Sequence, residues 1–152
     1  MTRIKLREQP LYEFTYTFTV QARDLSSRRH LGADAIVQML HEAVVNLFQA
    51  LGLQELDLGD GKTGIITEDT VIDFRREAFL FDTLTIETHV DEVDSSGLRM
   101  YHRMIHSDEI AALAESGLVG FDHGRREVVP IPETFNSALL RHWQQLQTAV
   151  RS

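Results

Sequence analysis

The sequence predicts an α+β protein in which a curved antiparallel sheet wraps one long helix and a second helix closes the chain. Three observations carry this prediction: an alternating run near the start, one long and largely apolar helical stretch, and three or four consecutive strand-like runs after it. Several strands around a single internal helix are typical of an α+β layer. At 152 residues the chain has the length of one domain, predicted to span 1–152.

The first strand is predicted from the run YEFTYTFTV, residues 12–20. Every second position is aromatic or aliphatic, and Glu or Thr stands between these positions. Because successive side chains of a strand point to opposite faces, one face is apolar and the other polar. We therefore expect a half-buried strand.

The central helix is predicted over residues 34–51. Its apolar face, which includes Val37, is wider than a surface helix needs and leaves one narrow polar stripe. Gly52 directly after it is typical of a helix C-terminal cap. We expect a mostly enclosed helix with one polar seam.

Three further strands are predicted at Ile65–Arg75, Thr83–Val93 and Leu98–His106, and the turn DEVDSSG between the last two predicts a hairpin. Residues 109–122 fit neither period cleanly. They are interpreted as a strand because a polar turn, DHGRRE, and a further run, VVPIP, follow. A terminal helix is predicted from Pro132. Its apolar residues recur at helical spacing: Phe135, Leu139, Trp143, Leu146 and Val150.

The composition excludes several classes of protein. The net charge of −8 argues against a nucleic-acid or membrane surface, and the lack of cysteine excludes disulfides, thiolate nucleophiles and cysteine-bound zinc. No apolar run approaches the roughly 20 residues that span a bilayer, and the first residues lack the apolar core of a signal peptide. We expect a cytoplasmic protein without a nucleic-acid or membrane partner.

Histidine spacing does not favour a metal site. Val45 stands where the pair His41-Glu42 would need a second histidine to form a zinc-protease motif. His102 and His106 would lie roughly 13 Å apart along a strand, too far for one metal ion. No metal is expected.

The junction RDLSSRRHLGADAIVQMLHEA, residues 23–43, is the candidate site. Asp24 follows the first strand, His30 lies six residues later, Gly32 stands at the helix entry, and Asp34 lies in the first turn. A helix start offers free backbone N–H groups and a partial positive charge, which suit a developing oxyanion. A nearby histidine or carboxylate could activate water.

Each candidate residue also has a purely structural interpretation. Asp34 suits a helix cap, Asp24 a turn, and His30 a solvated loop beside two arginines. Glu42 lies roughly 12 Å beyond Asp34 along the helix, so it suits a polar seam or a subunit interface. By themselves these features indicate an anion site with candidate acid–base residues, but they do not identify the reaction.

Three stretches carry a resemblance to a known family. RDLSSRRHLGADAIVQMLHEAVVNLFQALGL is similar to a D-x-D-x-x-G-H-type loop followed by a central helix that ends in A-L-G. VIDFRREAFLFDTLTIETHV is similar to that family's strand pair, and EVVPIPETF to its closing strand with V-P-[IL]-P. From about Phe14 to Phe135 the chain resembles the hotdog-fold acyl-CoA thioesterases related to 4-hydroxybenzoyl-CoA thioesterase.

The resemblance implies a hotdog fold, with a five- to six-stranded antiparallel sheet wrapped around the long helix. It implies a homodimer or a dimer of dimers with sites at the subunit interface. The implied reaction is hydrolysis of an acyl-CoA or acyl-carrier-protein thioester to acid and thiol. No cofactor is implied, because the CoA thioester is itself the substrate.

The resemblance also implies roles for the junction residues. An ungapped match places Asp24 on the first aspartate of the loop and Ser26 on the second, which is catalytic in the 4-hydroxybenzoyl-CoA type. Serine is neither a general base nor a carboxylate nucleophile without a partner. Water activation then falls to His30 with Glu42 or Asp34, while Asp24 orients the loop.

Two further sets of residues complete the expected site. By the same resemblance, the oxyanion hole is formed by the backbone amides of Leu31, Gly32 and Ala33. The CoA phosphates need local cations in an acidic protein, although paired surface arginines are also often merely solvated. The candidate cations are Arg75, Arg76, Arg125 and Arg126.

Two other functions remain open from the sequence. The fatty-acid dehydratases of this fold pair a loop histidine with a helix glutamate, which His30 and Glu42 match loosely. The hydratase signature D-x-N-P-x-H is absent from DLSSRRH. A non-catalytic dimer that binds acyl-CoA is favoured by Ser26 in place of aspartate. Release of thiol from acyl-CoA distinguishes the thioesterase from both.

Overall fold

In the computed structural model, which describes residues 3–91 and 93–151, six strands and two α-helices follow one another. A single 3₁₀ turn, Ala22–Asp24, lies between the first strand and the first helix. The elements in chain order are β1 (Phe14–Thr19), α1 (Ala33–Ala50), β2 (Thr63–Phe74), β3 (Thr83–Asp91), β4 (Leu98–His106), β5 (Glu109–Asp122), β6 (Glu127–Val129) and α2 (Glu133–Arg151).

The strands form one antiparallel sheet in the order β1-β3-β4-β5-β2, with β6 paired to β5. β1 runs antiparallel to β3, from Phe14 opposite Thr88 to Thr19 opposite Thr83. β2 lies beside β5 and not beside β3, the strand that follows it in the chain. The connection from β2 to β3 therefore crosses the sheet, and it brings its residues to the start of α1.

The predicted elements are all present in the described chain. β4 and β5 have the predicted bounds, and β1, β2 and both helices differ from prediction by at most two residues at either end. The prediction for the third strand extended to Val93 and included residue 92, which lies outside the described residues. The ambiguous pattern of β5 has a physical cause, since the four consecutive residues Ala111–Ala114 are all buried. A strand covered on both faces loses its alternation.

The described chain divides into two compact units, and the first comprises the chain up to Val44, Val71–His89 and Tyr101–Glu115. In its core, the first half of α1 packs against apolar strand residues. Burial of each large aliphatic side chain contributes about 1.5 to 3 kcal/mol. The core therefore fixes the first turns of α1. Its large buried residues are Phe18, Val20, Leu31, Ile36, Leu40, Leu84, Ile86 and Met104.

The second unit comprises Val45–Thr70, Val90–Met100 and the chain from Ser116 onward. Here the second half of α1 contacts α2 through Phe48 and Phe135, whose ring centroids lie 6.1 Å apart. The N-terminus of α2 is held by Thr134, whose hydroxyl donates a 2.7 Å hydrogen bond to the Leu58 carbonyl. The span of a single domain over 1–152 remains a prediction.

One expectation about α1 is wrong. The helix was expected to be enclosed apart from one narrow polar seam. Instead, two adjacent residues are exposed in each turn, and Val37 and Val45 are 50% and 40% exposed on that side. No helix in the described residues is both long enough and apolar enough to cross a lipid bilayer.

Candidate active site

Asp24 closes the loop between β1 and α1. Its carboxylate Oδ2 accepts a 2.8 Å hydrogen bond from the Gln21 amide, and its carbonyl accepts a 3.1 Å bond from the Gly32 amide. The side chain is buried. Asp24 thus ties the 3₁₀ turn to the helix entry, and one of its carboxylate oxygens is already occupied.

Ser26, which the resemblance places at the catalytic aspartate position, belongs to a tight turn. Its amide donates a 2.8 Å bond to the His30 carbonyl, and its own carbonyl accepts a 2.9 Å bond from the Arg29 amide. Its hydroxyl accepts a 3.2 Å bond from the Arg28 amide. These bonds set the path of the loop that presents His30.

The start of α1 leaves one of the three expected oxyanion amides available. The Leu31 amide donates to the Ala78 carbonyl at 2.7 Å, and the Gly32 amide donates to the Asp24 carbonyl. Within the described residues, the Ala33 amide donates to no carbonyl or side chain. The Leu31 and Gly32 amides are therefore engaged by carbonyls within the chain. Ala33, at the positive end of the helix dipole, remains open to an anion.

His30 presents a single acceptor nitrogen. Its Nδ1 lies 3.2 Å from the Leu31 carbonyl oxygen. Since a carbonyl only accepts, this contact favours the tautomer in which Nδ1–H is the donor, and Nε2 then carries a lone pair. The side chain is 26% exposed, and Nε2 lies 4.0 Å from Glu77 Oε1. In this tautomer Nε2 of His30 is a hydrogen-bond acceptor.

A cavity of about 410 Å³ opens at this point, within the first compact unit. Its apolar walls belong to the hydrophobic core, and charged side chains complete the lining. Its volume lies within the usual range for a small-molecule site. It suits an apolar group attached to a polar carbonyl. The residues that line it are His30, Leu31, Ala33, Ile36, Phe74, Arg75, Arg76, Glu77, Ala78, Met104 and Ala111.

The structure brings only part of the expected site together. His30, Leu31, Ala33, Arg75 and Arg76 all line the cavity. The other expected residues do not line it, and they are Asp24, Ser26, Gly32, Arg125, Arg126, Asp34 and Glu42. The last two lie on the exposed side of α1.

Arg75 is engaged by a buried carboxylate. Its guanidinium donates to Asp73 Oδ2 at 2.9 and 3.0 Å and to the Leu6 carbonyl at 2.9 Å. Asp73 also accepts a 2.8 Å bond from Arg3. The hydrogen bond from Arg75, with those from Leu6 and Arg3, lowers the pKa of Asp73 to about 2, and the same bond raises the pKa of Arg75. Arg75 thus anchors the N-terminal segment.

Arg76 is more accessible. It pairs with Glu109 at 3.0 Å, and both side chains are exposed. Arg125 and Arg126 lie on the β5–β6 turn, where Arg125 pairs with Glu127. This turn belongs to the second unit and does not line the cavity.

Sequence reasoning missed six of the lining residues, which are Ile36, Phe74, Glu77, Ala78, Met104 and Ala111. Three of them are ordinary strand residues, and no pattern marks Glu77 in the run RREAFLFD. The position of Glu77 depends on a hydrogen bond from Leu31 to Ala78, which no local pattern reports. Among the described residues, no three or more His, Asp or Glu side chains form a metal-binding group.

Comparison with known protein families places the chain in a superfamily. A sequence profile of the thioesterase-like superfamily matches residues 20–139, which is most of the chain. A search of functionally curated proteins found no significant match.

Solved structures share the fold at low sequence identity. The 1,4-dihydroxy-2-naphthoyl-CoA thioesterase of Synechocystis is 20% identical with a TM-score of 0.75, covering 84% of this chain and 95% of that chain. A Staphylococcus aureus protein in complex with CoA is 17% identical with a TM-score of 0.77, covering 91% and 89%. A gentisyl-coenzyme A thioesterase is 21% identical with a TM-score of 0.73, covering 82% and 98%. These likenesses confirm the hotdog α+β fold.

Proposed function

The chain belongs to the thioesterase-like superfamily, and we propose that it hydrolyses an acyl thioester of coenzyme A or of an acyl-carrier protein. The observation that carries the proposal is the 410 Å³ cavity, which has apolar walls and is also lined by His30 and Ala33. The walls suit an acyl group. The Ala33 amide suits an oxyanion, and His30 Nε2 suits the proton of a water molecule.

The reaction proceeds in two steps. In the first, a water oxygen bonds to the thioester carbonyl carbon, its proton passes to His30 Nε2, and the carbonyl oxygen becomes an oxyanion that accepts from the Ala33 amide. In the second, the carbon–sulfur bond breaks with its electron pair on sulfur, and the proton on Nε2 passes to the thiolate. The products are the free acid and the thiol, and no cofactor is consumed.

The other predicted residues take supporting roles. Asp24 and Ser26 hold the loop that carries His30. The charge of Asp34 in the first turn favours the dipole of α1. Glu42 belongs to the exposed side of α1 with Val37 and Val45, and we propose that this side faces a second copy of the chain. Exposed valines on a helix support such an interface.

Of the four arginines predicted to bind CoA phosphates, we assign this role to Arg76. Its pair with Glu109 is exposed on both sides, and such pairs contribute little stability, about 0 to 1 kcal/mol. A phosphate can therefore replace Glu109 as its partner. Arg75 stays with the buried Asp73. The roles of Arg125 and Arg126 remain a prediction from sequence.

The test is a panel of acyl-CoAs with aliphatic and aromatic acyl groups, with release of free thiol as the readout. We expect turnover by the wild-type protein. His30→Asn keeps a side-chain amide near the Leu31 carbonyl but lacks Nε2, so kcat should fall by about 10²- to 10⁴-fold. His123→Asn changes an exposed histidine in the second unit and is the matched control.

Two results would contradict hydrolysis. Binding of acyl-CoA without thiol release across the whole panel would show a non-catalytic binding protein. Hydration of an enoyl thioester without thiol release would show a hydratase. Equal activity of His30→Asn and the wild type would remove His30 from the mechanism.

A further inference from the structure

Glu77, in the β2–β3 connection, lies beside the proposed base. Its Oε1 is 4.0 Å from His30 Nε2, and both side chains line the cavity at the start of α1. Among the described residues that line this cavity, Glu77 is the one carboxylate. The carboxylates that the sequence indicated, Asp34 and Glu42, do not line it.

Backbone hydrogen bonds fix the segment around Glu77 on both sides. The Ala78 carbonyl accepts from the Leu31 amide at 2.7 Å, directly after His30. The amides of Arg75 and Arg76 both donate to the Ala111 carbonyl, at 2.9 and 3.0 Å. The Glu77 side chain is 63% exposed, yet its backbone cannot move away from His30 without breaking these bonds.

The distance between the two side chains suits a bridging water. A separation of 4.0 Å is too long for a direct hydrogen bond. With Nδ1–H donating to the Leu31 carbonyl, neutral His30 has only an acceptor at Nε2, and an ionised carboxylate also only accepts. One water can donate to both at about 2.8 Å, because its two O–H bonds diverge by about the required angle.

We propose that Glu77 is a second catalytic residue of this site and holds the attacking water together with His30. The inference rests on the proposed thioester hydrolysis. One O–H of the water points to Nε2 and gives up its proton as the oxygen bonds to the carbonyl carbon. The other O–H points to the carboxylate, which stays ionised throughout. Glu77 then faces the imidazolium and stabilises it until the proton passes to the leaving thiolate.

Two other carboxylates nearby do not line the cavity. Asp24 Oδ2 accepts from the Gln21 amide, and Asp24 and Glu109 are both absent from the cavity lining. The charged groups that line the cavity with His30 are Arg75, Arg76 and Glu77. Arg75 is paired with Asp73. Glu77 is the carboxylate of this cavity that faces the imidazole of His30.

The test is a double-mutant cycle. Glu77→Gln keeps the size of the side chain and removes its charge, and kcat should fall about 30-fold while KM changes less than about twofold. Because the two residues hold one water, His30→Asn/Glu77→Gln should lose no more activity than His30→Asn alone. Glu133→Gln, an equal charge change at an exposed position on α2, should retain wild-type kcat.

An unchanged kcat in Glu77→Gln, or losses that multiply in the double variant, would each overturn the role of Glu77. A wild-type protein that releases no thiol would instead overturn the proposed function.

Discussion

His102 is a buried titratable residue outside the proposed site. It lies on β4 and is almost wholly enclosed, with Nδ1 2.9 Å from the Thr88 hydroxyl. Nε2 has no hydrogen-bond partner among the described residues. Burial lowers the pKa of His102 to about 4, because the charged imidazolium cannot be solvated there.

Folding should therefore weaken as the pH falls from 6.5 to about 4. In this interval the unfolded chain binds a proton at this position and the folded chain does not, so acid favours unfolding. Above pH 6.5 both forms are neutral and the effect vanishes. At pH 5 His102 should lower the free energy of unfolding by about 2 kcal/mol relative to pH 7.

Denaturant unfolding of the wild type and His102→Asn at pH 7 and pH 5 measures this effect. Asparagine places an amide near the position of Nδ1, so it can keep the bond to Thr88, and it does not titrate. The wild type should lose more stability than the variant between the two pH values. Equal losses would show that His102 is not the residue responsible.

Asp73 accounts for a property of Arg75 that the sequence does not reveal. Arg75 stands in an exposed-looking RR pair, yet it binds a carboxylate that is 1% exposed. That carboxylate also binds the Leu6 amide and Arg3. Because the pKa of Asp73 is lowered to about 2, its bonds to these groups persist above pH 4 and weaken only as the pH falls toward 2. Partners so distant in sequence leave no local pattern.

The first turn of α1 gives the next prediction. Ala33 is the first residue of the helix, where proline is well tolerated because the amide there has no helical partner. In Ala33→Pro the helix should therefore form, while the amide proposed to face the oxyanion is gone. Loss of one oxyanion donor lowers kcat by about 10²- to 10³-fold.

The matched control for this prediction is Ala33→Ser, which keeps the amide at the same position. Circular dichroism and thermal unfolding should show both variants folded with similar stability. Thiol release should fall only in Ala33→Pro. If the two variants turn over equally, the oxyanion does not depend on the Ala33 amide.

The strands and helices could be predicted from sequence because each carries its own period. The alternation in β1 reports which side chains are buried, and Phe14 and Phe18 are indeed enclosed. The prediction for α1 was wrong in one respect, because it took the apolar residues of the helix to be buried within the chain. Val37 is apolar and exposed, which a single sequence cannot distinguish from a core position.

Only the part of the site whose residues are contiguous in the sequence could be predicted. The loop from Asp24 to Ala33 and the start of α1 are contiguous, so His30 and a helix-terminal amide were within reach of the sequence. The remainder depends on the order of the sheet, in which the β2–β3 connection reaches the helix start. The bond between Leu31 and Ala78 brings Glu77 there, and no short motif encodes it.

The exposed side of α1 leads to the last prediction, which concerns assembly. Val37 and Val45 lie roughly 12 Å apart along α1. Both are apolar, and both side chains are exposed in the single chain. We expect a dimer that buries them, with a solution mass twice the 17.4 kDa of one chain. Val37→Lys/Val45→Lys should give the mass of one chain in sedimentation equilibrium, because each lysine would have to be desolvated at the interface. The control is Leu140→Lys/Leu146→Lys, an equal change at two exposed leucines of α2, which should leave the dimer intact. A wild-type mass of 17.4 kDa at tens of micromolar, or dissociation only in the α2 variant, would place the contact elsewhere or exclude it.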